Sequence, residues 1–142
     1  MAIYTRKETR SLGVYLVEDS PIMVNLLRTL LDSEPNLRVI GQAKSAGAAI
    51  DGIQSLSPDI VVVDLGLENS SGFDVLEALS TKQPSQRPLI AVLTNYVSDR
   101  YRNEAKRLGA DYFFDKSREI IRMLRTMSEV VKARLRRNGS ED

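Results

Sequence analysis

Ile60-Val61-Val62-Val63-Asp64-Leu65-Gly66 is the stretch that decides how this chain folds. Four β-branched residues in a row stop at a carboxylate, and a glycine follows two places later. An unbroken apolar run suits a strand buried on both faces, as a parallel sheet covered by helices requires. Asp64 then stands at the carboxyl end of that strand, the rim on which open α/β sheets place their chemistry. A strand-end aspartate can equally serve as a turn former or helix cap. Its meaning depends on what the other strand ends carry.

Outward from this strand the chain alternates. Towards the N-terminus, Val14-Tyr15-Leu16-Val17 reads as a first strand ending at Glu18-Asp19. Ser20 offers an N-cap with Pro21 at the first helical position. Ile22, Met23, Leu26, Leu27, Leu30 and Leu31 form an apolar stripe at helical spacing, stopped by Glu34-Pro35-Asn36. Leu37 to Ala43 is a second strand, and Ser45 to Leu56 a helix weakened by Gly47 and Gly52.

Beyond Asp64, a loop at 67–70 leads to a helix over Ser71 to Ser80 and a turn over 81–88. Leu89 to Leu93 is a fourth strand, ending at Thr94. Asp99 to Leu108 is a helix with Tyr101, Ala105 and Leu108 on one side, closed by Gly109. Tyr112-Phe113-Phe114 is a short strand before Asp115-Lys116. Ser117 is the expected cap of the last helix, whose stripe is Ile120, Leu124, Met127, Val131 and Leu135. A loose lead-in over 1–11, a single domain over 12–137 and a frayed tail over 138–142 complete the expected organisation. Five strands alternating with five helices predict a doubly wound parallel sheet with right-handed crossovers.

Composition narrows the chemistry. The chain has 142 residues, 42% of them hydrophobic, with no cysteine and no histidine. Disulfides, thiolate chemistry, zinc clusters and histidine acid–base work are therefore excluded. No apolar run approaches the roughly 20 residues of a spanning helix. With a composition that permits a reducing cytosol, this sets the expectation of a cytoplasmic protein. The net charge of +1 divides into 13 basic and 15 acidic side chains over 1–117, against seven basic and four acidic over 118–142. That asymmetry is small beside the basic surface of a nucleic-acid binder.

In the predicted sheet, Glu18, Asp19, Asp64, Thr94 and Lys116 all fall on one rim. Three clustered carboxylates raise one another's pKa unless a cation lies among them. Oxygen ligands with no His or Cys favour Mg²⁺, which completes its shell with water and phosphate oxygen. Thr94 can donate a hydrogen bond to a phosphoryl group and Lys116 supplies a compact positive charge. Asp64 is the candidate nucleophile for an aspartyl phosphate, since Glu18 and Asp19 are wanted for the ion.

Taken together these residues resemble the receiver domain of two-component response regulators, over roughly Leu12 to Leu135. The matching elements are Glu18-Asp19 after the first strand, Asp64 ending Val-Val-Val-Asp, Gly72 eight residues later, Thr94 at 30 residues past Asp64, and Lys116 at 22 past Thr94. The resemblance implies a flavodoxin-like sheet of order 2-1-3-4-5 with five helices. It implies that a histidine kinase or a phosphotransfer protein donates a phosphoryl group to Asp64, with Mg²⁺ held by Asp19, Asp64 and the Gly66 carbonyl, and Glu18 acting directly or through water. It makes Thr94 and Phe113 switch residues, and the surface of the fourth helix, fifth strand and last helix the reporter read by an output protein. Such a domain is no enzyme beyond its own phosphorylation and slow dephosphorylation.

The sequence departs from the family pattern at several places. Glu18 replaces the commoner aspartate, Glu68 a frequent proline, and Asn95 a small residue beside Thr94, where it is expected to crowd the pocket. Ser117 replaces the usual proline, so a trans bond is expected after Lys116. Phe113 lacks a tyrosine hydroxyl. Tyr96, two residues after Thr94, is expected to shield the phosphoryl group from water. Arg100, Arg102, Lys106, Arg107, Arg118, Arg122 and Arg125 read as solvated helix faces. Two other functions use part of the same sequence. A Mg²⁺-dependent phosphohydrolase would commonly need a second acid at position 66, where this chain has Gly66. A nucleic-acid-binding module would use Lys132, Arg134, Arg136 and Arg137, and is not expected without interleaved aromatics. The long final helix could support a homodimer.

Overall fold

The computed structural model describes residues 11–140, with side chains to Arg137. Most of the expected lead-in, and the last two residues of the expected tail, lie outside that range. Five strands form the sheet: β1 (Leu12–Val17), β2 (Leu37–Ala43), β3 (Ile60–Val63), β4 (Leu89–Thr94) and β5 (Tyr112–Asp115). All are parallel, in the order β2-β1-β3-β4-β5, the doubly wound arrangement expected from the alternation. The helices are α1 (Pro21–Asp32), α2 (Ala46–Leu56), α3 (Gly72–Ser80), α4 (Asp99–Arg107) and α5 (Ile120–Ser140). α5 carries helix into the stretch expected as a tail. Among the described residues no helix is long and apolar enough to cross a membrane.

Strand alternation sorts the core into two layers. Val14, Leu16, Ile60, Val62, Leu93 and Phe114 face α1 and α5, meeting Leu27, Leu31, Met123 and Met127. Their neighbours Tyr15, Val17, Val61, Val63, Ile90 and Val92 face the opposite way, meeting Ala49 and Ile53 of α2, Val75 and Leu76 of α3, and Ala105 of α4. The Ile-Val-Val-Val run is buried on both faces because it lies at the centre of this sandwich.

The helix starts follow local chemistry. Ser20, Ser45, Ser71 and Ser98 each accept a hydrogen bond from a backbone N–H of the first turn, at Met23, Ala48, Phe73 and Tyr101. Such caps each contribute about 1 kcal/mol. α5 departs from expectation. Ser117 donates both its N–H and its hydroxyl to Asp115 Oδ1, which holds a turn instead of a helix start. Glu119 takes the capping place: its carbonyl accepts from Met123, and its carboxylate accepts from the Asp115 N–H. Every described peptide bond is trans, including that after Lys116.

Two apolar stripes are corrected by the packing. On α1 the buried line is Val24, Leu27 and Leu31, while Ile22 and Leu26 are 82% and 42% exposed. On α5 the fully buried line runs through Met123, Met127 and Val131, with Ile120, Leu124 and Leu135 as its partly buried margins. Both helices carry more apolar residues than one face can bury, so spacing alone admits more than one stripe. The loop after β3 is also more ordered than expected. Gly66–Leu67 pairs antiparallel with Ser70–Ser71 around a two-residue turn in which Asn69 has φ 55°.

The two α2 glycines, alike in sequence, differ in surroundings. A Cβ at Gly52 would meet the ring and hydroxyl of buried Tyr15, whereas a Cβ at Gly47 would meet open space. Gly47→Ala is expected to stabilise the fold by about 0.5–1 kcal/mol through helix propensity. Gly52→Ala is expected to cost about 1–3 kcal/mol through overpacking. Tyr15→Phe in the Gly52→Ala background should recover part of that loss, and urea denaturation of the four proteins measures all of these differences.

Candidate functional site

Sheet register brings the rim residues together. Val17 pairs with Val63 and Val63 with Val92, so the residues just past β1 and β3 and near the end of β4 are lateral neighbours. Thr94 pairs with Asp115, which sets Lys116 one step beyond β5. The ladder continues past the strands themselves. The Glu18 N–H donates to the Ala43 carbonyl, Asp64 to Val17, and Lys116 to Thr94. Each site residue is thus held by its own backbone before its side chain makes any contact.

Gly72 fixes Asp64 from the other side. Its N–H donates to the Leu65 carbonyl, and a Cβ there would run into the Asp64 carbonyl oxygen and the Leu65 Cα. Only glycine lets the start of α3 approach the β3 terminus this closely. The spacing of eight residues between Asp64 and Gly72 records that contact.

Asp64 is 6% exposed, Glu18 3% and Thr94 0%. The Thr94 hydroxyl donates to Asp64 Oδ1 at 2.7 Å, and the Gly66 N–H donates to the same oxygen at 3.1 Å. Lys116 Nζ donates to Asp64 Oδ2 at 2.6 Å and lies 2.5 Å from Glu18 Oε1. Glu18 Oε2 accepts from the Ser20 N–H at 3.0 Å. Asp19 completes the group: one carboxylate oxygen from each of Glu18, Asp19 and Asp64 lies within 4.8 Å of the others. Among the described residues, the half-buried Asp19 carboxylate has no hydrogen-bond or ion-pair partner.

Burial pushes the Glu18 pKa upward, against the lowering effect of Lys116 and the Ser20 N–H. Burial also works to lower the Lys116 pKa, but its hydrogen bonds to Asp64 and Glu18 outweigh it and the net shift is upward. With all groups ionised, three carboxylates and one ammonium leave a formal charge of −2 (−3 + 1) in the cleft. A divalent cation would bring it to zero. The donor set is all oxygen, which matches a hard cation such as Mg²⁺ and not zinc or copper.

A family profile for the response regulator receiver domain matches residues 14–128. The chain belongs to that family. This receiver domain is 31% identical over 131 residues to a protein-glutamate methylesterase/protein-glutamine glutaminase of Syntrophus aciditrophicus, an alignment covering 82% of this chain and 37% of that protein. It spans well under half the length of the methylesterase relatives it matches. In fold it is similar to the response regulator domain of Thermotoga maritima CheB, with a TM-score of 0.74, 24% identity, and coverage of 87% of this chain and 95% of that one. It is also similar to the Mn²⁺-bound form of response regulator Rcp1, with a TM-score of 0.69, 20% identity, and coverage of 84% and 91%. Its class is a phospho-accepting switch of two-component signalling; the phosphohydrolase and nucleic-acid readings are not favoured.

The remaining expected residues lie around the cleft. The Tyr96 N–H donates to the Thr94 hydroxyl at 3.2 Å, and its ring, 54% exposed, lies against Gly66. Asn95 is exposed. Phe113 is half-buried on β5, with the Arg102 guanidinium 4.7 Å from its ring centroid. Arg102 is therefore a cross-element contact, whereas Arg107 and Arg122 make exposed pairs with Glu104 and Glu119. Sequence reading passed over Ser20 as a support for Glu18 and gave Phe73 no role. The Ser20 contact is local, two residues from Glu18, whereas that of Phe73 depends on which segments meet beside the rim.

Lys116→Met should expose how far this ammonium holds the cleft together. Leaving Glu18 and Asp64 side by side without it is expected to cost about 3 kcal/mol, the lower end for breaking a buried pair. Added Mg²⁺ should restore more stability to the variant than to the parent protein, as read by the urea midpoint with and without the ion.

Proposed function

We propose that Asp64 accepts a phosphoryl group from a histidine kinase or phosphotransfer protein, in a cleft that holds Mg²⁺ through Asp19, Asp64, the Gly66 carbonyl and Glu18. One observation carries this reading: a buried carboxylate shares its two oxygens between a hydroxyl and an ammonium, beside the Asp19 carboxylate, which has no partner among the described residues. Asp19 is the natural first ligand because no side chain or backbone group among the described residues occupies it. The all-oxygen donor set and the −2 charge support a divalent ion, as does the metal-bound form of a protein with the same fold. Bound there, Mg²⁺ would neutralise charge on the incoming phosphoryl oxygens.

In the transfer, an Asp64 carboxylate oxygen attacks phosphorus and forms a P–O bond. The P–N bond of the donor's phosphohistidine breaks, and its electron pair leaves with the imidazole. Lys116, already 2.6 Å from Asp64 Oδ2, lies where it can hold a phosphoryl oxygen by a charge-assisted hydrogen bond. Thr94 donates to Asp64 Oδ1 in the structure, and its hydroxyl rotor can redirect that hydrogen to the new group. Doing so alters its contact with the Tyr96 N–H. We assign Thr94 on β4 and Phe113 on β5, whose ring meets Arg102 of α4, as the switch residues, and α4, β5 and α5 as the surface read by the output partner. Tyr96 shields the phosphoryl group from water. Beyond this self-directed chemistry we assign no turnover to residues 12–137, and the methylesterase activity of the longer relatives is not carried over.

Incubation with acetyl phosphate and Mg²⁺ tests the assignment. Intact-mass spectrometry should show one phosphoryl adduct on the wild type. Asp64→Asn should show none, and chelation of the metal should suppress the adduct on the wild type. An adduct that persists in Asp64→Asn would sink the reading.

A further inference from the structure

Three rings form a ladder beside the cleft. Phe73, in the first turn of α3, lies 5.8 Å from Tyr101 between centroids. Tyr101, in the first turn of α4, meets Tyr96 edge-on at 6.2 Å and 80°. Tyr96 in turn lies so close over Gly66 that a Cβ at that glycine would enter its ring. The ladder lines a small cleft of about 170 Å³ shared with Leu65, Gly66 and Ser71. Gly66 is the residue whose N–H donates to Asp64 Oδ1, so the last ring of the ladder covers backbone bonded directly to the carboxylate.

An exposed tyrosine on a loop has rotamers to choose from, and ordering one costs side-chain entropy. Tyr96 is 54% exposed and packs on neither core layer, so the strands do not fix it. What holds its ring against Gly66 is the edge contact with Tyr101, and Tyr101 is itself held by Phe73. Aromatic pairs of this geometry are worth about 0.5–1.5 kcal/mol beyond their buried area, enough to bias a surface rotamer strongly.

We propose that Tyr101 is a positioning residue, and that the Phe73–Tyr101–Tyr96 ladder sets the lifetime of the phosphorylated protein by keeping the Tyr96 ring over the Gly66 backbone. The inference rests on Asp64 being the phosphoryl acceptor. In the loss reaction, a water oxygen attacks phosphorus, and the P–O bond to Asp64 breaks. The carboxylate leaves with the electron pair, and the water protons remain with inorganic phosphate and solvent. The ladder acts on the first step by obstructing the approach of water. The hydroxyl of Tyr101 has no part in this, because only the ring edge and face make the contacts.

The rate of phosphate loss from the phosphorylated protein, freed of donor and followed by intact mass, is the measurement. Tyr96→Ala and Tyr101→Ala should each speed the loss several-fold, and the double variant should be no faster than Tyr96→Ala alone, because the second residue works only through the first. Tyr101→Phe should keep the wild-type rate, an outcome that a general loosening of α4 would not give. An unchanged rate in Tyr101→Ala, or additive effects in the double variant, would overturn the ladder while leaving Asp64 phosphorylation intact. Absence of any adduct on the wild type would overturn both.

Discussion

Everything on the carboxyl rim depends on one buried ammonium. Lys116 reaches across from the end of β5 to contact Glu18 at the end of β1 and Asp64 at the end of β3. Without it, two carboxylates buried to within a few per cent would face each other, and one would have to take up a proton. The lysine does part of the work of a cation while leaving a formal charge of −2 for a divalent ion to neutralise. Its position also requires the edge strand β5 to be in register with β4 and, through it, with β3 and β1. A slip of one residue in β5 would turn Lys116 to the other face.

Burial of charge at this level costs stability unless the partners are well placed. Here the placement is carried by backbone. Glu18, Asp64 and Lys116 each donate an N–H to the neighbouring strand beyond the formal ends of the sheet. The same hydrogen bonds that build the sheet therefore fix the three charged residues, and their side chains need only reach inward. That economy explains why the site can be assembled from five residues at four strand ends instead of a dedicated loop.

The sequence disclosed the sheet and the cleft better than the helix faces. Strand β2 has the bounds expected from its residues, and β3 is recognisable because a fully buried strand must be apolar throughout. Glu18, Asp19, Asp64, Thr94 and Lys116 were legible because strand-end chemistry is tied to local position, and parallel topology makes the ends converge. The buried line of α1 was not legible, since Ile22 and Leu26 share the helix with Val24, Leu27 and Leu31, and only the tilt of the helix on the sheet decides between them. Ser117 is not the cap because Asp115 competes for it through an Asx turn, a local bond as compatible with Asp-Lys-Ser as a helix start is. Tyr101 showed only as a helix-face residue. Tyr96 lies five residues before it, but Phe73 lies 28 residues before it on another helix, and only the fold brings that ring into contact.

The two glycines near Asp64 separate the parts of the site that cannot move from the parts that can. Gly72 brings backbone against backbone, so a side chain there would have to displace the β3 terminus itself. Gly66 brings backbone against the ring of Tyr96, which is exposed and can swing away. Asp64 is accordingly rigid: its N–H is held by Val17, its carbonyl lies against Gly72, and both of its carboxylate oxygens are hydrogen-bonded. Its surroundings are softer. Thr94 links the carboxylate to Tyr96 through a hydroxyl that can rotate, Tyr96 lies on a surface loop, and Phe113 is half-buried beneath the half-buried Arg102. A group added to Asp64 therefore cannot be accommodated by moving Asp64. On the reading we propose, the adjustment falls on Thr94 and Tyr96, and this asymmetry of stiffness gives a chemical event in the cleft a direction in which to spread, towards α4.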